Sequence, residues 1–520
     1  MTEATQPPAP GAQTGPAGAP PIDPKDARSI IFGLMVVLLL AALDQTIVST
    51  AMPTIGRALG DIEHLPWMVT AYLLSSTVVT PLYGKLADII GRRTTLLMAI
   101  GIFLAGSLLC SLSPSMYVLI AARAVQGLGG GGLMSLVQTV ISDIVTLKER
   151  GRIQGLFAAV FTSSSIGGPI LGGVMSDHLG WQSIFWVNLP VGALALWIVY
   201  KGLLKLPRYE RAHKIDWLGA ILMAIAALVL MVGINTRGAQ IMGVPVWAAY
   251  VVSAVFWLLF ALRLRLAEEP LIPTGILKNA TIVRGILVAT LGMGALMSVG
   301  AYNPLYIQLI YHLTPSNAGL VTTPLSLGII GGSIASGQLM SRSKNGNYKL
   351  LPMIGLLLGT LIYAALALSP ARLPLWGYIG SLVVANLGVG ATFPVTTIII
   401  QAVVERHQMG TATGVMNFFR SLGGALMVAV FGAILFGELH VLLGNAFNGA
   451  LDARTFDHVA NPARIYQPIF IGASVAMGLA FLILTSMKRV SLRGRDAPTV
   501  AKDIEEAAPQ LDLEGADFSE

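Results

Sequence analysis

Apolar runs of about twenty residues recur along almost the whole chain, separated by short polar segments. A helix of about 20 apolar residues is long enough to cross the hydrocarbon core of a bilayer. The pattern therefore predicts an all-α membrane protein rather than a soluble protein with unusually apolar helices. It predicts fourteen membrane-spanning helices, over residues 29–52, 67–87, 94–113, 116–141, 153–176, 183–204, 217–235, 246–266, 280–305, 317–340, 349–369, 374–400, 411–437 and 467–487.

Composition agrees with this interpretation. Of the 520 residues, 54% are hydrophobic and 11% are charged, against about 25% charged residues in soluble domains. The one cysteine, Cys110, excludes a disulfide framework and a cysteine-rich metal site, so we expect no metal. Residues 1–28 are rich in proline, alanine and glycine and are predicted to form a disordered cytoplasmic tail rather than a signal peptide. Residues 488–520 are predicted to form a second cytoplasmic tail.

The basic residues predict the orientation of the chain. Most of the 33 lysine and arginine residues fall in alternate loops and in the two tails, which would then face the cytoplasm. The net charge of +7 therefore reflects insertion in a membrane. We expect the lipid bilayer, and no nucleic acid, as a partner.

The chain also repeats itself. Four glycines of the first half align at one constant offset with four glycines of the second half: Gly129, Gly131, Gly151 and Gly155 with Gly388, Gly390, Gly410 and Gly414. The repeat predicts two six-helix halves, 29–204 and 280–487, that flank an extra helix pair within the segment 205–279. Parallel halves of this kind hold a substrate between them near the middle of the membrane. Chance similarity among glycine-rich helices is the alternative.

Several motifs carry a resemblance to a known family. They are LDQTIVSTAMP from Leu43, GKLADIIGRRTTLL from Gly84, RAVQGLGGG from Arg123, SSSIGGPILGG from Ser163, WQSIFWVNLP from Trp181 and NFFRSLGG from Asn417. Over residues 29–490 the chain resembles the major facilitator superfamily, and within it the fourteen-span drug:H+ antiporters of the EmrB/QacA type. Ser164 departs from the pattern, because the span 5 motif of that family usually opens with glycine.

The resemblance implies an antiporter that exports amphipathic drugs across a bacterial cytoplasmic (inner) membrane by alternating access. It implies that the proton gradient drives export without a cofactor. It also implies a gating motif in the loop between spans 2 and 3, made of Gly84, Asp88, Gly91, Arg92 and Arg93, and an antiporter motif in span 5, made of Gly168, Pro169, Gly172 and Gly173. We expect a monomer, since two fused halves already complete the pathway.

Asp44 is the one acidic residue that lies well inside a predicted span, and an ionisable residue in that position is by default a functional hypothesis. At 1.5 Å of rise per residue, Asp44 and Arg123 lie about 10–14 Å from the outer ends of their helices, so contact between them is plausible. Low dielectric disfavours a carboxylate and a neighbouring arginine favours it. The pair could therefore take up a proton in one conformation and release it in another. A static pair that only joins spans 1 and 4 is the alternative.

The two glycine-containing motifs have structural interpretations as well. Asp88 could meet Arg92 or the positive N-terminus of another helix and close the cytoplasmic end of the pathway, or it could serve only as an ordinary cap. Gly168 and Pro169 permit a functional bend, whereas Gly172 and Gly173 permit tight helix packing.

A substrate cavity is predicted only loosely, because most aromatic residues in such spans face lipid or protein core. Its candidates are polar or aromatic groups on spans 2, 9 and 13: Tyr72, Tyr302, Asn303, Gln308, Asn417, Phe418 and Arg420. Arg420 has no acidic partner that the sequence can name, and could bind backbone carbonyls or an anionic substrate group. Leu382 stands at the position equivalent to Arg123 in the second half. Proton handling is therefore expected in the first half.

Other functions fit the sequence less well. The chain lacks a P-loop, the HExxH and GxSxG motifs and clustered metal ligands, so neither an ATP-driven pump nor an enzyme is expected. A membrane sensor would normally add a soluble output domain. A proton-coupled drug exporter and an exporter of one specific metabolite, siderophore or lipid both remain open.

Overall fold

The described part of the chain is helical apart from one short strand pair and the turns between elements. The computed structural model describes residues 24–60, 64–145, 147–204, 215–235, 240–241, 244–313, 317, 321–342, 347–369, 373–405, 408–443 and 466–487. Helices of the first part of the chain are α1 Pro24–Leu59, α2 Leu65–Ile89, α3 Arg92–Ser111, α4 Met116–Ile144, α5 Leu147–His178, α6 Ser183–Trp186 and α7 Asn188–Leu203. They are followed by α8 Trp217–Asn235, β1 Gln240–Ile241, β2 Val244–Pro245, α9 Val246–Leu266 and α10 Thr274–Lys278.

The remaining helices are α11 Ala280–Tyr311, α12 Pro324–Arg342, α13 Leu350–Leu368, α14 Leu375–Val403, α15 Met409–Leu443 and α16 Gln467–Ser486, with a 3₁₀ turn at Asn347–Lys349. The strands pair antiparallel, with Gln240 opposite Pro245. Side chains and glycines set several helix ends. Asn279 accepts hydrogen bonds from two backbone amides in the first turn of α11, and Gly91 precedes α3 at a positive φ of 90°, which favours glycine.

Among the described residues, eleven helices are long and apolar enough to cross a membrane. Helices α2, α8 and α12 lie at predicted spans 2, 7 and 10 but are not among those eleven, so fourteen spans remain a prediction. Polar residues explain this for α2, which carries Ser75, Ser76, Thr77 and Thr80.

Several predicted boundaries were wrong. Helix α1 begins at Pro24, inside the predicted tail, and α11 continues to Tyr311 past an internal proline, Pro304. For predicted span 10, the described helix α12 covers Pro324–Arg342, residues 317 and 321–322 are also helical, and residues 318–320 lie outside the described residues. Predicted span 6 agrees with one candidate span, Ser183–Leu203, which contains a single turn residue, Val187, between α6 and α7. Residues 1–23 and 488–520, the bulk of the predicted tails, lie outside the described residues.

The helices pair in the same way in the two parts of the chain. Helix α1 packs on α5 and α7, α2 packs on α4, and α3 packs on α4 and α7; α11 packs on α15 and α16, α12 on α14, and α13 on α14 and α16. The glycines of the repeat lie at equivalent contacts. A Cβ atom on Gly131 would lie 2.1 Å from the carbonyl oxygen of Ser76, and one on Gly390 would lie 2.0 Å from that of Ile329. Only glycine permits these close approaches.

Two seams join these helix sets. Helix α2 packs against α15, and α5 packs against α12. In the repeat α2 corresponds to α12 and α5 to α15, so the two seams are equivalent to each other. The extra helices α8 and α9 pack against each other, and α8 also contacts α2 and α15. At one end of the extra pair, the Asp216 carboxylate accepts from Arg263 Nε at 2.9 Å and from the backbone amide of Gly219 at 3.0 Å.

Candidate functional site

The Asp44 carboxylate lies at the centre of a buried polar network in the first helix set. Asp44 is 1% exposed. Its Oδ2 atom accepts from Arg123 Nη1 at 2.7 Å, and its Oδ1 atom accepts from Gln126 Nε2 at 2.8 Å and Asn188 Nδ2 at 2.9 Å. Helices α4 and α7 thus supply the donors for both oxygens of a carboxylate on α1. Charge-assisted hydrogen bonds of this kind stabilise the anion.

The guanidinium of Arg123 is held on several sides. Its Nη1 atom also donates to Gln126 Oε1 at 2.6 Å, and its Nε atom donates to the carbonyl of Met68 at 3.4 Å. The ring of Tyr72 lies 4.3 Å from the guanidinium carbon, and that of Phe185 lies 5.9 Å away. These distances suit cation–π contact. Arg123 is therefore fixed by α2 and α6 as well as by its carboxylate partner.

A second layer of polar groups holds the amides in place. Ser107 Oγ on α3 accepts from Gln126 Nε2 at 2.7 Å and from Asn188 Nδ2 at 3.2 Å. The Cys110 thiol lies 3.6 Å from Gln126 Oε1. All of these side chains are buried. Every helix from α1 to α7 except α5 therefore contributes a contact to this network, while α4 and α7 supply the donors to Asp44.

Chemically, the network is built to hold a carboxylate. It offers the two oxygens of Asp44 three hydrogen-bond donors, and the one from Arg123 is cationic.

The structure brings Asp44 and Arg123 together, as their depths predicted. It also places Tyr72, a predicted cavity residue, on Arg123 instead of in a separate cavity. Sequence reasoning missed Ser107 and Asn188. Asn188 lies in the quoted segment WQSIFWVNLP, where an amide inside an apolar run was the available signal.

The gating motif lies at one end of the α2–α15 seam. Asp88 Oδ2 accepts from the backbone amide of Thr411 at 2.8 Å and from its hydroxyl at 2.8 Å, and Asp88 Oδ1 accepts from the Gly410 amide at 3.2 Å. These amides lie in the first turn of α15, so the carboxylate caps that helix and faces its positive end. Arg92 lies 3.6 Å from Asp88 and also forms an ion pair with Asp143. Both partners considered for Asp88 are therefore present.

The other members of this motif have different surroundings. A Cβ atom on Gly84 would lie 2.4 Å from the carbonyl oxygen of Gly410, so α2 and α15 touch through their backbones. Gly91 forms the left-handed turn before α3. Arg93 lies away from Asp88, with its guanidinium carbon 4.6 Å from the centre of the Tyr200 ring.

The span 5 motif mediates contact between α5 and α1 at one position. A Cβ atom on Gly168 would lie 2.0 Å from Thr46 Oγ1, and that hydroxyl donates to the carbonyl of Ser164 at 2.9 Å. Gly172 is buried. Gly173 faces open space, with nothing within 4 Å of its added Cβ, so the expectation of tight packing was wrong there. The Pro169 side chain lies outside the described residues, and α5 is helical through that position.

The remaining cavity candidates do not converge. Tyr302 donates to the Val428 carbonyl, Gln308 donates within its own helix to Pro304, and Asn303 accepts from Tyr378 at 2.6 Å. Phe418 is fully buried, with its ring centre 6.2 Å from that of Trp257 in the extra pair. Asn417 donates to Gln138 Oε1 of α4 at 3.1 Å, across to the first helix set, and Arg420 lies one turn further along α15. Of these candidates, Asn417 and Arg420 alone adjoin each other at the seam.

Comparison with known proteins identifies the family. The profile of the Major Facilitator Superfamily matches residues 34–428. The chain belongs to the Major Facilitator Superfamily. It is 31% identical to Multidrug resistance protein 3 of Bacillus subtilis over 85% of this chain and 86% of that protein. It is 32% identical to the Multidrug transporter protein MdtP of the same organism, covering 78% and 75%, and 33% identical to Efflux pump dotC of Dothistroma septosporum, covering 78% and 70%.

Solved structures support the same fold. The human organic anion transporter MFSD10 superposes with a TM-score of 0.63 at 16% identity, over 89% of this chain and 100% of that one. A bacterial homologue of the iron transporter ferroportin superposes with a TM-score of 0.60 at 12% identity, over 88% and 99%. At these identities the likeness concerns the fold alone. The superfamily contains transporters rather than enzymes, and this chain is a multi-pass member with multidrug efflux relatives.

Proposed function

We propose that the protein is a proton-coupled antiporter that exports drugs or other amphipathic organic compounds by alternating access. The observation that carries the proposal is the buried Asp44 carboxylate, paired with Arg123 at 2.7 Å and accepting from two amides. The names of the multidrug relatives support the substrate class. We further propose a bacterial cytoplasmic membrane, cytoplasmic termini, a monomer and membership of the fourteen-span antiporter group.

In this mechanism Asp44 carries the proton. Movement of α1 relative to α4 and α7 withdraws Arg123, Gln126 and Asn188, and the carboxylate, then buried without donors, takes up a proton. Return of the donors expels it. One charge that moves across 100 mV supplies about 2.3 kcal/mol, enough for roughly a fifty-fold gradient of an uncharged substrate.

Closure of one end is assigned to the α2–α15 seam. Asp88 on the first turn of α15 and the Gly84–Gly410 contact hold that end together. The basic loops nearby suggest that it is the cytoplasmic end. Opening it would separate the carboxylate from the helix terminus and expose the space between the two helix sets.

Inverted membrane vesicles energised with a respiratory substrate test the proposal. Uphill uptake of ethidium, a cation, and of N-phenyl-1-naphthylamine, a neutral amphiphile, is measured for wild type, Asp44→Asn and a control, Asp177→Asn. Asp177 is exposed near the end of α5. We expect Asp44→Asn to lose uphill uptake and keep downhill exchange, while Asp177→Asn matches wild type.

Full uphill uptake by Asp44→Asn would leave Asp44 a structural residue. If wild type moves neither compound while a known drug exporter moves both, the broad substrate range is wrong. The specific exporter of a metabolite, siderophore or lipid would then be the better account.

A further inference from the structure

Arg420 is a buried cation that has no counter-ion among the residues the structure describes. It lies on α15 and is 6% exposed. Within the part of the chain that the structure describes, its polar contact is Met416 Sδ, 3.7 Å from Nη2, and its buried Nε atom has no hydrogen-bond partner. The Phe393 ring of α14 lies 5.0 Å from its guanidinium carbon. The backbone carbonyls considered as partners are absent from these described contacts.

The sequence offers no replacement partner inside the membrane. Asp44 is the one acidic residue well inside a predicted span, and it is committed to Arg123 at 2.7 Å. A buried charge is costly unless it is paired. Arg123 meets this requirement with a carboxylate, whereas the described contacts of Arg420 are an aromatic face and a sulfur atom. An incoming anion would complete its coordination.

The neighbouring residue places this cation beside the other helix set. Asn417 lies one helical turn before Arg420, so both side chains lie on adjoining parts of one helix face. Its amide donates to Gln138 of α4 at 3.1 Å, and its buried Oδ1 atom lacks a partner among the described residues. Among the described residues, an unpartnered donor and an unpartnered acceptor thus lie one turn apart on α15, and Asn417 itself contacts α4 of the other helix set. Substrates of this architecture bind between the two halves.

We propose that Arg420 and Asn417 form a subsite for the anionic head group, a sulfonate or carboxylate, of an amphipathic organic substrate. The guanidinium binds the two oxygens of such a group through paired hydrogen bonds. The Asn417 carbonyl accepts from a hydroxyl or amine next to the head group, and Phe393 contacts the apolar part. This subsite rests on the proposed export function and adds organic anions to its substrates.

Two matched probes isolate the anionic group. The anion 8-anilinonaphthalene-1-sulfonate and neutral N-phenyl-1-naphthylamine share one ring system and differ in the sulfonate. Their uptake, together with that of ethidium, is measured in energised inverted vesicles. The proteins are wild type, Arg420→Gln, Arg420→Lys and the charge-matched control Arg284→Gln. Arg284 is on α11 and donates to the Ser486 carbonyl in an exposed position.

We expect Arg420→Gln to lower kcat/KM for the sulfonate by about ten-fold or more, with little change for the other two compounds. Arg420→Lys should retain part of the sulfonate transport, because it keeps the charge without the planar fork. Arg284→Gln should match wild type. Equal losses for all three compounds in Arg420→Gln would make Arg420 structural and overturn the proposal.

A second variant guards against misfolding of Arg420→Gln. Asn417→Asp places a carboxylate one turn from Arg420 and supplies an internal counter-ion. We expect a stable protein that has lost sulfonate uptake and kept uptake of the neutral compound. Unchanged sulfonate uptake by Asn417→Asp would contradict the subsite.

The outcomes also separate this subsite from the export function. Wild type that takes up ethidium and the neutral probe but no sulfonate would overturn the subsite and leave export standing. Wild type that takes up none of the three would contradict the export function itself.

Discussion

The two helix sets share their pairing but differ in their charges. The first set encloses Asp44 and Arg123 in a network of amides and hydroxyls. In the second set Leu382 takes the place of Arg123, and the interior is aromatic: the Tyr306 ring centre lies 4.7 Å from that of Tyr378 and 5.0 Å from that of Tyr466. The same scaffold thus holds a buried ion pair in the first set and a cluster of tyrosine rings in the second.

This difference shows that two halves of a duplicated fold can keep the same helix packing while their buried charged residues differ. Glycines maintain close helix contact in both sets, as Gly131 and Gly390 do. The two sets differ in their charged residues, since the buried pair Asp44–Arg123 belongs to the first set, where we propose that the proton binds. Arg420 is the exception in the second set, and its missing counter-ion is what suggests a substrate role.

The largest predicted effect comes from making the first set resemble the second. Arg123→Leu leaves the Asp44 carboxylate buried without a cation, which costs about 3–5 kcal/mol of folding stability. Thermal unfolding of the purified protein measures the loss. The double variant Asp44→Asn/Arg123→Leu should recover most of it, because no charge remains unpaired. Equal stability of the single and double variants would show that the pair is not coupled.

A smaller effect distinguishes the two seams. Gly84→Ala places a Cβ atom 2.4 Å from a backbone oxygen of α15, whereas Gly155→Ala, on the α5–α12 seam, meets Ile334 at 3.4 Å. Overpacking against backbone costs about 1–3 kcal/mol, so Gly84→Ala should lower the unfolding temperature and slow export. Gly155→Ala should change both little. If the two variants have the same unfolding temperature and the same export rate, both seams tolerate an added methyl group equally and the predicted difference between them is wrong.

The Asp88 carboxylate at the first turn of α15 should stabilise the closed α2–α15 seam by about 1 kcal/mol, the usual contribution of a charged side chain at a helix terminus. Asp88→Asn should raise the fraction of molecules that are open at the α2–α15 seam roughly five-fold, because about 1 kcal/mol corresponds to that ratio at 25 °C. Opening of this end can be followed with a cysteine in place of Thr77, which is labelled faster by a maleimide when the end opens. Thr77 is buried one turn before Pro81, on the face of α2 that meets Gly414. The background is Cys110→Ser. The control Asp177→Asn should be labelled at the wild-type rate. The same rate in Asp88→Asn would show that Asp88 does not hold the α2–α15 seam closed.

The smallest effect is expected from a polar pair in the second set. Asn303 and Tyr378 hydrogen-bond at 2.6 Å deep in that set. Replacing both partners with apolar groups of similar shape is nearly neutral, so Asn303→Leu/Tyr378→Phe should change stability by less than about 1 kcal/mol and leave ethidium export intact. Loss of uphill export in this variant would place proton handling in both sets and remove the asymmetry.

The sequence predicted what depends on local pattern and helix depth. Apolar runs located the helices, and the rise per residue placed Asp44 beside Arg123. The class of partner for Asp88 also followed, because a carboxylate at a helix end suits another helix terminus. Its actual partner, Thr411, is 323 positions away, and only the packing of α2 on α15 identifies it.

What the sequence could not give depends on how each helix is rotated about its axis. Asn188 faces Asp44 because α7 turns that amide inward, and nothing local in the sequence fixes that rotation. Rotation also decides the surroundings of Phe418, a predicted cavity residue, which turns toward Trp257 in the extra pair. Helices α2 and α12 are also not among the eleven described helices that are long and apolar enough to cross a membrane, although both lie at the seams between the two helix sets.

The central claim is that Asp44 carries the coupled proton, and proton flux during export tests it most directly. Purified protein is reconstituted in liposomes that contain a pH-sensitive dye, and ethidium is allowed to move down its own gradient. We predict that wild type moves protons in the opposite direction and that Asp44→Asn moves ethidium with no proton movement. Undiminished proton movement in Asp44→Asn would contradict the account.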